Sequence, residues 1–551
     1  MRTASNFILP MSDAGRKLMR ELKAEMSVVA GEKQRRRWTI LDTFDWRLLS
    51  ANLVLLRDRK SYELHRREGD ELIAQGELTG NKKALFPADF SEGALRDKVE
   101  GLLSIRAAMP RAEFVREVEF FRVENKDGKT TVRLELETLS RPVPGQKAMP
   151  FQRLIRVVQL KGYEGDAWEL SEKIRQRGLE IHKDTRHYVF SALEASGVVP
   201  LDYTSKIALK LSPSMSAREA CTYILQASLK QMQANSEGML ADIDSEFLHD
   251  FRVALRRTRS LLQLVKGVYP EDKVMFFKKE LGDVMRRTNN LRDLDVYLLE
   301  QGDFAELLPD GLGIGLESFF GDLGSERRTV FRKFSREFQG PKVTRELKAW
   351  QTFLEQGADS ASADCLDAEV PVRDLANRLL SKRFRRILKD GRKITPETPD
   401  EAVHDLRIQF KKFRYLLEFF RSLYDADEFG FLIKRSRKIQ NVLGSFNDAC
   451  VQTEKITSYL ASIDLKRPEA VQLCAALGAL VAELERKRQA ERIKFGDAFK
   501  SLDDERVVSV ANHLFRATGK GSPVSEANGK ATEAVRKKSA TRRKVQRKSA
   551  T

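Results

Sequence analysis

His249–Arg259 reads HDFRVALRRTR, and His404–Arg414 reads HDLRIQFKKFR. Successive residues of a helix turn by ~100°, so His249, Arg252, Arg256 and Arg259 fall within ~80° of one another. His404, Arg407, Lys411 and Arg414 repeat that stripe in the second stretch. Phe251, Leu255, Leu262 and Val265 lie roughly a quarter turn or more from the centre of the stripe and make an apolar face. One face suits a core, and the adjoining row of aligned cations suits an anion. Like charges four residues apart weaken a helix slightly, so a stripe of three or four needs a ligand or acids of its own.

The two stretches belong to a duplication. The offset of 155 positions that takes His249 to His404 also takes Tyr269 to Tyr424, Asp293 to Asp448 and Val296 to Val451, without a gap. Such a repeat means two similar packed units sharing an interface. From Ser216, an N-cap with Glu219 three residues on, to about Leu502, helical periodicity dominates. About four helices per copy predict two pseudosymmetric antiparallel bundles, over 212–350 and 368–505. The helix before the second stripe, RDLANRLLSKRFRRILKDGRK, carries Lys382, Arg385, Arg386 and Lys389; its counterpart, AREACTYILQASLKQMQAN, keeps only Lys230. Arg286-Arg287 and KRSRK (Lys434–Lys438) add charge ahead of Asp293 and Asp448, which read as residues that orient a stripe arginine or cap a helix. Cationic helices from two bundles would converge on a groove or channel.

The pattern HxxRxxx[RK]xxR in both copies, with NLRDLDV (Asn290–Val296) and FNDACV (Phe446–Val451), resembles the CHAD family of histidine-bearing α-helical domains. The resemblance covers about residues 212–502. It implies two four-helix bundles around a basic channel that binds inorganic polyphosphate, in some members on polyphosphate granules. The ligand-facing positions it implies here are His249, Arg252, Arg256, Arg259, His404, Arg407, Lys411 and Arg414; the helical spacing of the preceding helix adds Lys382, Arg385, Arg386 and Lys389 as polyphosphate-binding candidates. Arginine forks give paired charge-assisted hydrogen bonds to phosphate oxygens, and lysine acts as a mobile point charge. The two histidines would donate to phosphate, their protonated forms favoured by a bound polyanion. No nucleophile, base and orienting group stand together in this region, so it reads as non-catalytic. No metal or cofactor is expected.

The amino-terminal region reads as strands. In REVEFFRVENKDGKTTVRLELETL (Arg116–Leu139), two alternating runs flank a turn at Lys126–Lys129. Ile40–Arg67 gives a strand, a short helical link and two more strands, and FQRLIRVVQLKG (Phe151–Gly162) another. A helix from Trp168 to about Arg177 stops at Gly178, and a linker rich in turn-formers follows to 211. LDTFDWRLLSANLVLLRDR (Leu41–Arg59) is similar to the YxDTxDxxLxxxGxxLRxR segment of the CYTH family, the triphosphate tunnel enzymes. That resemblance implies a closed antiparallel barrel whose basic lumen binds triphosphate and whose alternating glutamates hold a divalent metal. The family's opening ExExK strand is missing, and RELKAEM near Glu21 has helical character. Glu117 with Glu119, and Glu135 with Glu137, read as a solvated sheet face. Without paired carboxylates nothing neutralises a triphosphate through Mg²⁺, so a degenerate, non-catalytic domain is expected.

The fold class is therefore α+β and multidomain. An antiparallel β-barrel-like domain over 1–185 precedes all-α duplicated four-helix bundles over 212–505. Over 517–551, ten Lys and Arg against two Glu predict a disordered basic tail that tethers polyanions, DNA included, or merely solubilises. A length of 551 residues suits two to four domains, and the formal charge of +18 points to a polyanionic partner. Four cysteines without CxxC spacing fit a reducing compartment and give no zinc signature. No apolar run approaches the ~18 residues of a membrane span, and the amino terminus lacks the core of a signal peptide, so a cytoplasmic protein is expected. No oligomeric state is implied. Three functions compete: polyphosphate binding, metal-dependent triphosphate or polyphosphate hydrolysis in the first domain, and nucleic-acid binding, which the scarcity of aromatics in the stripes disfavours.

Overall fold

The computed structural model describes residues 4–516 apart from 12–13, 69–70, 79–81, 83, 183–187, 207–208, 358–364 and 396. The basic tail expected over 517–551 lies outside the described residues. The first part of the chain runs β1 (Ala4–Leu9), α1 (Ala14–Glu25), β2 (Ser27–Asp42), α2 (Arg47–Ser50), β3 (Leu53–Asp58), β4 (Ser61–Arg66), β5 (Leu72–Glu77) and α3 (Ala94–Leu103). It continues through β6 (Met109–Glu124), β7 (Thr130–Arg141), β8 (Met149–Gln159), α4 (Glu164–Gln176), β9 (Ile181–His182) and α5 (Tyr188–Ala195).

The expected hairpin is β6–β7. The Asn125 side chain accepts from the backbone N–H of Asp127 and Lys129 at 3.0 Å each, and Gly128 takes φ 74°, the left-handed conformation its missing Cβ permits. All the strand pairs are antiparallel, in the order β5-β4-β3-β2-β6-β7-β8-β1-β9. Among the described residues β5 and β9 are not paired to each other, so the ladder of the barrel-like domain stays open. The sheet holds a strand that the sequence reading lacks. ASNFIL, too short and too apolar to show alternation, pairs with β8 from Ala4–Val158 to Leu9–Arg153. It carries no acid.

Strand alternation divides the core. Trp38, Ile40, Leu56 and Phe114 face α5; Leu41, Leu55 and Leu64 face α3; Phe121, Val132 and Val157, at the other end, pack on α1 and α4. The linker expected over 178–211 therefore contains a helix belonging to the sheet. An isolated helix of eight residues is unstable in water. Tyr188, Val189, Ala192 and Leu193 are buried on the sheet, and each large apolar side chain so buried contributes about 1.5–3 kcal/mol, enough to fix α5.

The remainder is helical: α6 (Ala217–Leu240), α7 (Ser245–Leu264), α8 (Glu271–Arg287), α9 (Asn289–Leu299), α10 (Gln301–Glu306), α11 (Ile314–Phe338), α12 (Pro341–Thr352), α13 (Val372–Gly391), α14 (Asp400–Phe420), α15 (Ala426–Leu460), α16 (Ala470–Lys500) and α17 (Glu505–Leu514). The capping box at Ser216 forms, with its hydroxyl on the Glu219 N–H and the Glu219 carboxylate on the Ser216 N–H. The starts of α6 and α13, of α7 and α14, and of α8 and α15 are each 155 residues apart. The copies diverge after that. The first breaks at Thr288 between α8 and α9, whereas α15 runs through the equivalent position at Leu443.

Two backbone bonds mark the relation between the copies. Val372 N donates to Met215 O at 2.9 Å, and Ala217 N donates to Val370 O at 2.8 Å. Exchanging the copies turns one bond into the other, so a pseudo-two-fold axis passes between Ser216 and Pro371. The hydroxyls of Thr222 and Tyr269 pair at 2.9 Å, and their counterparts repeat the contact, Tyr424 donating to Asn377 at 2.8 Å. Phe251, Leu255, Leu262 and Val265 are buried as expected, in a core shared by α6, α7, α13 and α14.

Candidate functional site

The first stripe begins where the two parts of the chain meet. Asp244 caps α7 by accepting from the N–H of Glu246 and Phe247 at 3.0 and 3.3 Å. Arg106, from the loop after α3, lies 3.2 Å from Asp244 and 2.5 Å from Asp250, and is itself 1% exposed. His249 sits beside this cluster. Burial, then the charges of Arg292, Arg256, Arg106 and Arg252, push its imidazole down to about 3. The site thus holds a neutral His249. Arg252 is half-buried, and burial and Arg256 depress it to about 10, so it stays charged. Its guanidinium is held by the Thr288 hydroxyl, by Asn289 Oδ1 at 2.9 Å and by Met285 O at 3.4 Å, at the break that only the first copy has.

The second stripe is more open. His404 is exposed, with Nδ1 2.9 Å from Asn447 Oδ1. Asn447 stands where the first copy has Arg292, so the two histidines, alike in the motif, have unlike neighbours. Arg407 lies 3.8 Å from Asp448, the orienting acid expected of that position. Burial, then Arg407, Arg256 and Arg414, push Lys411 down to about 8. Burial likewise lowers Arg407, with Arg256 among the opposing charges. Arg256 of the first copy thus acts on both Arg407 and Lys411 of the second.

Arg256, Arg259 and Lys411 make no hydrogen bond or ion pair among the described residues. Arg414 lies 3.6 Å from Glu418. Cations drawn partly out of water beside other cations are costly unless an anion joins them. This cluster of Arg256, Arg407, Lys411 and Arg414 is the centre of the candidate site.

Among the described residues no hydrogen bond or ion pair joins the α13 cations to that cluster. Lys382, Arg385 and Lys389 are exposed, and Arg386 pairs with Asp390 at 3.4 Å. Arg386 joins Arg383 and Lys278 in depressing Lys412, after burial. Arg257 and Lys412 were missed by the sequence reading. Both follow a stripe cation directly and are 155 residues apart, so the repeat itself carried the signal. Arg292 and Arg106 were also missed; the first lay within NLRDLDV, and the second belongs to another part of the chain.

In the sheet domain, a cavity of about 240 Å³ is lined by Arg36, Arg116, Arg156, His65, Glu137 and Tyr188 among others. Arg116 holds Glu137 at 2.7 Å, and Arg156 lies 3.6 Å from Glu135 and donates to Asn6 at 3.1 Å. Glu137 is 1% exposed, so Glu135 and Glu137 do not lie on the expected solvated face. Glu117 and Glu119 do, in rungs with Arg35 and Lys33 at 3.0 and 2.8 Å. Arg57 and Arg59 line a wider cavity of about 1010 Å³ with Arg35 and Arg37. Among the described residues no group of three or more His, Cys, Asp or Glu is placed to hold a metal ion, and no helix is long and apolar enough to cross a membrane.

Known structures similar to this chain include the CHAD domain from the plant Ricinus communis, at 23% identity over 53% of this chain and 95% of that one, with a TM-score of 0.43. PptA from Streptomyces chartreusis is 16% identical over 52% of this chain and 100% of its own, with a TM-score of 0.41. HpAC1 from Hippeastrum, a putative adenylyl cyclase with a dominant triphosphatase activity, is 14% identical over 37% and 100%, with a TM-score of 0.26. No curated protein matches in sequence. The profile of the CHAD domain matches residues 223–457, which include both stripes. The duplicated helical region of this chain, over residues 223–457, is a CHAD domain.

Proposed function

We propose that the CHAD domain binds inorganic polyphosphate between α7 and α14. The observation that carries this reading is the charge of Arg256, which acts on Arg407 and Lys411 across the two copies with no acidic partner of its own among the described residues. A flexible chain of phosphates supplies closely spaced anionic oxygens to match such a row. Arginine forks would hold those oxygens in pairs, and Lys411 would follow them as a point charge. In a cell that stores the polymer, the same contacts would bring the protein to polyphosphate granules. Hydrolysis by the sheet domain is not favoured, because Glu137 and Glu135 are engaged by Arg116 and Arg156.

The test is equilibrium binding of long-chain polyphosphate to the full-length protein and to the Arg256→Glu, Lys411→Glu variant. Affinity is expected to fall at least about a hundredfold, because charge reversal replaces attraction with repulsion, with helical content unchanged. Full retention of affinity would place the site elsewhere. Displacement of the polymer by duplex DNA at equal phosphate concentration would remove the claim of specificity.

A further inference from the structure

The second stripe continues past Arg414 into a pocket that the sequence did not show. Glu418 and Arg421 follow Arg414 at helical spacing, and α15 faces them with Ser436, Arg437 and Gln440. Arg257 of α7 and Lys206 of the preceding segment close the other side of a cavity of about 350 Å³. Five cations (Lys206, Arg257, Arg414, Arg421 and Arg437) thus surround one carboxylate, Glu418.

Glu418 does not neutralise that pocket; it orients two of its cations. The carboxylate lies 3.5 Å from Arg257 and 3.6 Å from Arg414, and Arg257 also donates to Ser205 O at 2.9 Å. The side chains of Lys206, Arg421 and Arg437 make no hydrogen bond or ion pair among the described residues. Nor does the repeat supply this pocket automatically. In the first copy Ser436, Arg437 and Gln440 correspond to Leu281, Gly282 and Met285, so the polar, charged wall belongs to the second copy alone.

We propose that this pocket is a second phosphate seat, joined to Arg407 and Lys411 through Arg414, that takes a compact cluster of phosphate oxygens. Two sources share that chemistry. One is the end of the chain lying over the stripes, whose terminal group carries more charge than an internal phosphate; the other is a separate small phosphate compound. The inference rests on the polyphosphate reading above, with Arg414 common to both.

The experiment measures binding of tripolyphosphate and of long-chain polyphosphate to the full-length protein, to Arg421→Gln, Arg437→Gln, and to Arg256→Gln, Lys411→Gln. Arg421 and Arg437 are exposed, and an unchanged melting temperature confirms that their variant is folded. That variant is expected to lose about tenfold in tripolyphosphate affinity, the scale of removing charge-assisted contacts. If the pocket seats a chain end, the variant also loses affinity for the long polymer, and the polymer displaces tripolyphosphate. If it seats a separate compound, long-polymer affinity is kept and the two ligands bind together. Tripolyphosphate affinity within about twofold of the unaltered protein, a difference under about 0.5 kcal/mol, would overturn the proposal. Retained long-polymer affinity in Arg256→Gln, Lys411→Gln would instead sink the stripe reading, leaving the tripolyphosphate comparison to judge the pocket.

Discussion

Arg106 of the sheet domain and Asp250 of α7 meet 2.5 Å apart with both side chains almost out of solvent. Asp244 joins them, accepting also from the Ala107 N–H at 3.1 Å, and Tyr203 donates to Asp250 at 3.0 Å. The sheet domain therefore grips the helix of the first stripe at its amino-terminal end. The second stripe is gripped from elsewhere: its counterparts of Asp244 and Asp250 are Pro399 and an exposed Asp405, and Arg488 and Arg492 of α16 hold Asp400 at the start of α14 instead. The two halves of a duplicated site are thus held by different parts of the chain.

Replacing Arg106 with methionine should cost about 3–5 kcal/mol, because removing one partner strands the buried carboxylates. Chemical denaturation would show the loss, with the sheet and the helices unfolding in separate transitions. A cost below about 1 kcal/mol, the range of exposed pairs, would mean that solvent reaches the cluster.

Lys411 should make anion binding depend on pH. Without a bound anion its ammonium loses its proton near pH 8. Binding is therefore strongest below pH 8 and weakens as the pH rises through it, while the arginines stay charged. Affinity for polyphosphate measured from pH 7 to 9.5 should fall by up to about tenfold. Lys411→Arg should flatten that slope. In the absence of ligand the same depression is a folding penalty, full below pH 8 and gone by the usual value of 10.5.

His249 should act on stability instead. Its folded value of about 3 lies below the usual 6.5, so between those values the unfolded chain takes a proton that the folded one refuses. Stability contributed by this group is complete above pH 6.5 and declines as the pH falls towards 3. Unfolding free energies of the unaltered protein and of His249→Gln, compared across that window, should diverge with the variant losing less. Parallel curves would show that the imidazole is hydrated.

The stripes, their apolar backs and the repeat were legible because they follow from helical spacing and one constant offset. Ser216 and the turn at Gly128 were legible because capping and turn chemistry are local. What escaped depends on contacts between distant segments. Arg252 is engaged by Thr288 and Asn289 only because the chain breaks there, and the same offset leads to Leu443 in an unbroken helix. Arg106 comes from a loop more than a hundred residues upstream. Arg386 acts on Lys412, a cation the stripe pattern passes over, only because α13 packs on α14. In β1, six residues of strand gave too few positions for alternation to register.

Gly238 lets α6 pass close to Phe247, the ring on which Arg106 rests at 5.1 Å and which Phe44 touches at 4.8 Å. A Cβ at position 238 would overlap that ring. Alanine in a helix gains about 0.5–1 kcal/mol over glycine, whereas overpacking a filled core costs about 1–3 kcal/mol. The second effect should win, because Phe247 is walled in by the helices on one side and the Arg106 cluster on the other. Gly238→Ala is thus expected to lower the melting temperature, and Phe247→Leu, which makes room, to recover part of the loss in the double variant. A stabilised Gly238→Ala protein would show that α6 and α7 part freely, and that the grip of the sheet domain on the first stripe is looser than the buried ion pairs indicate.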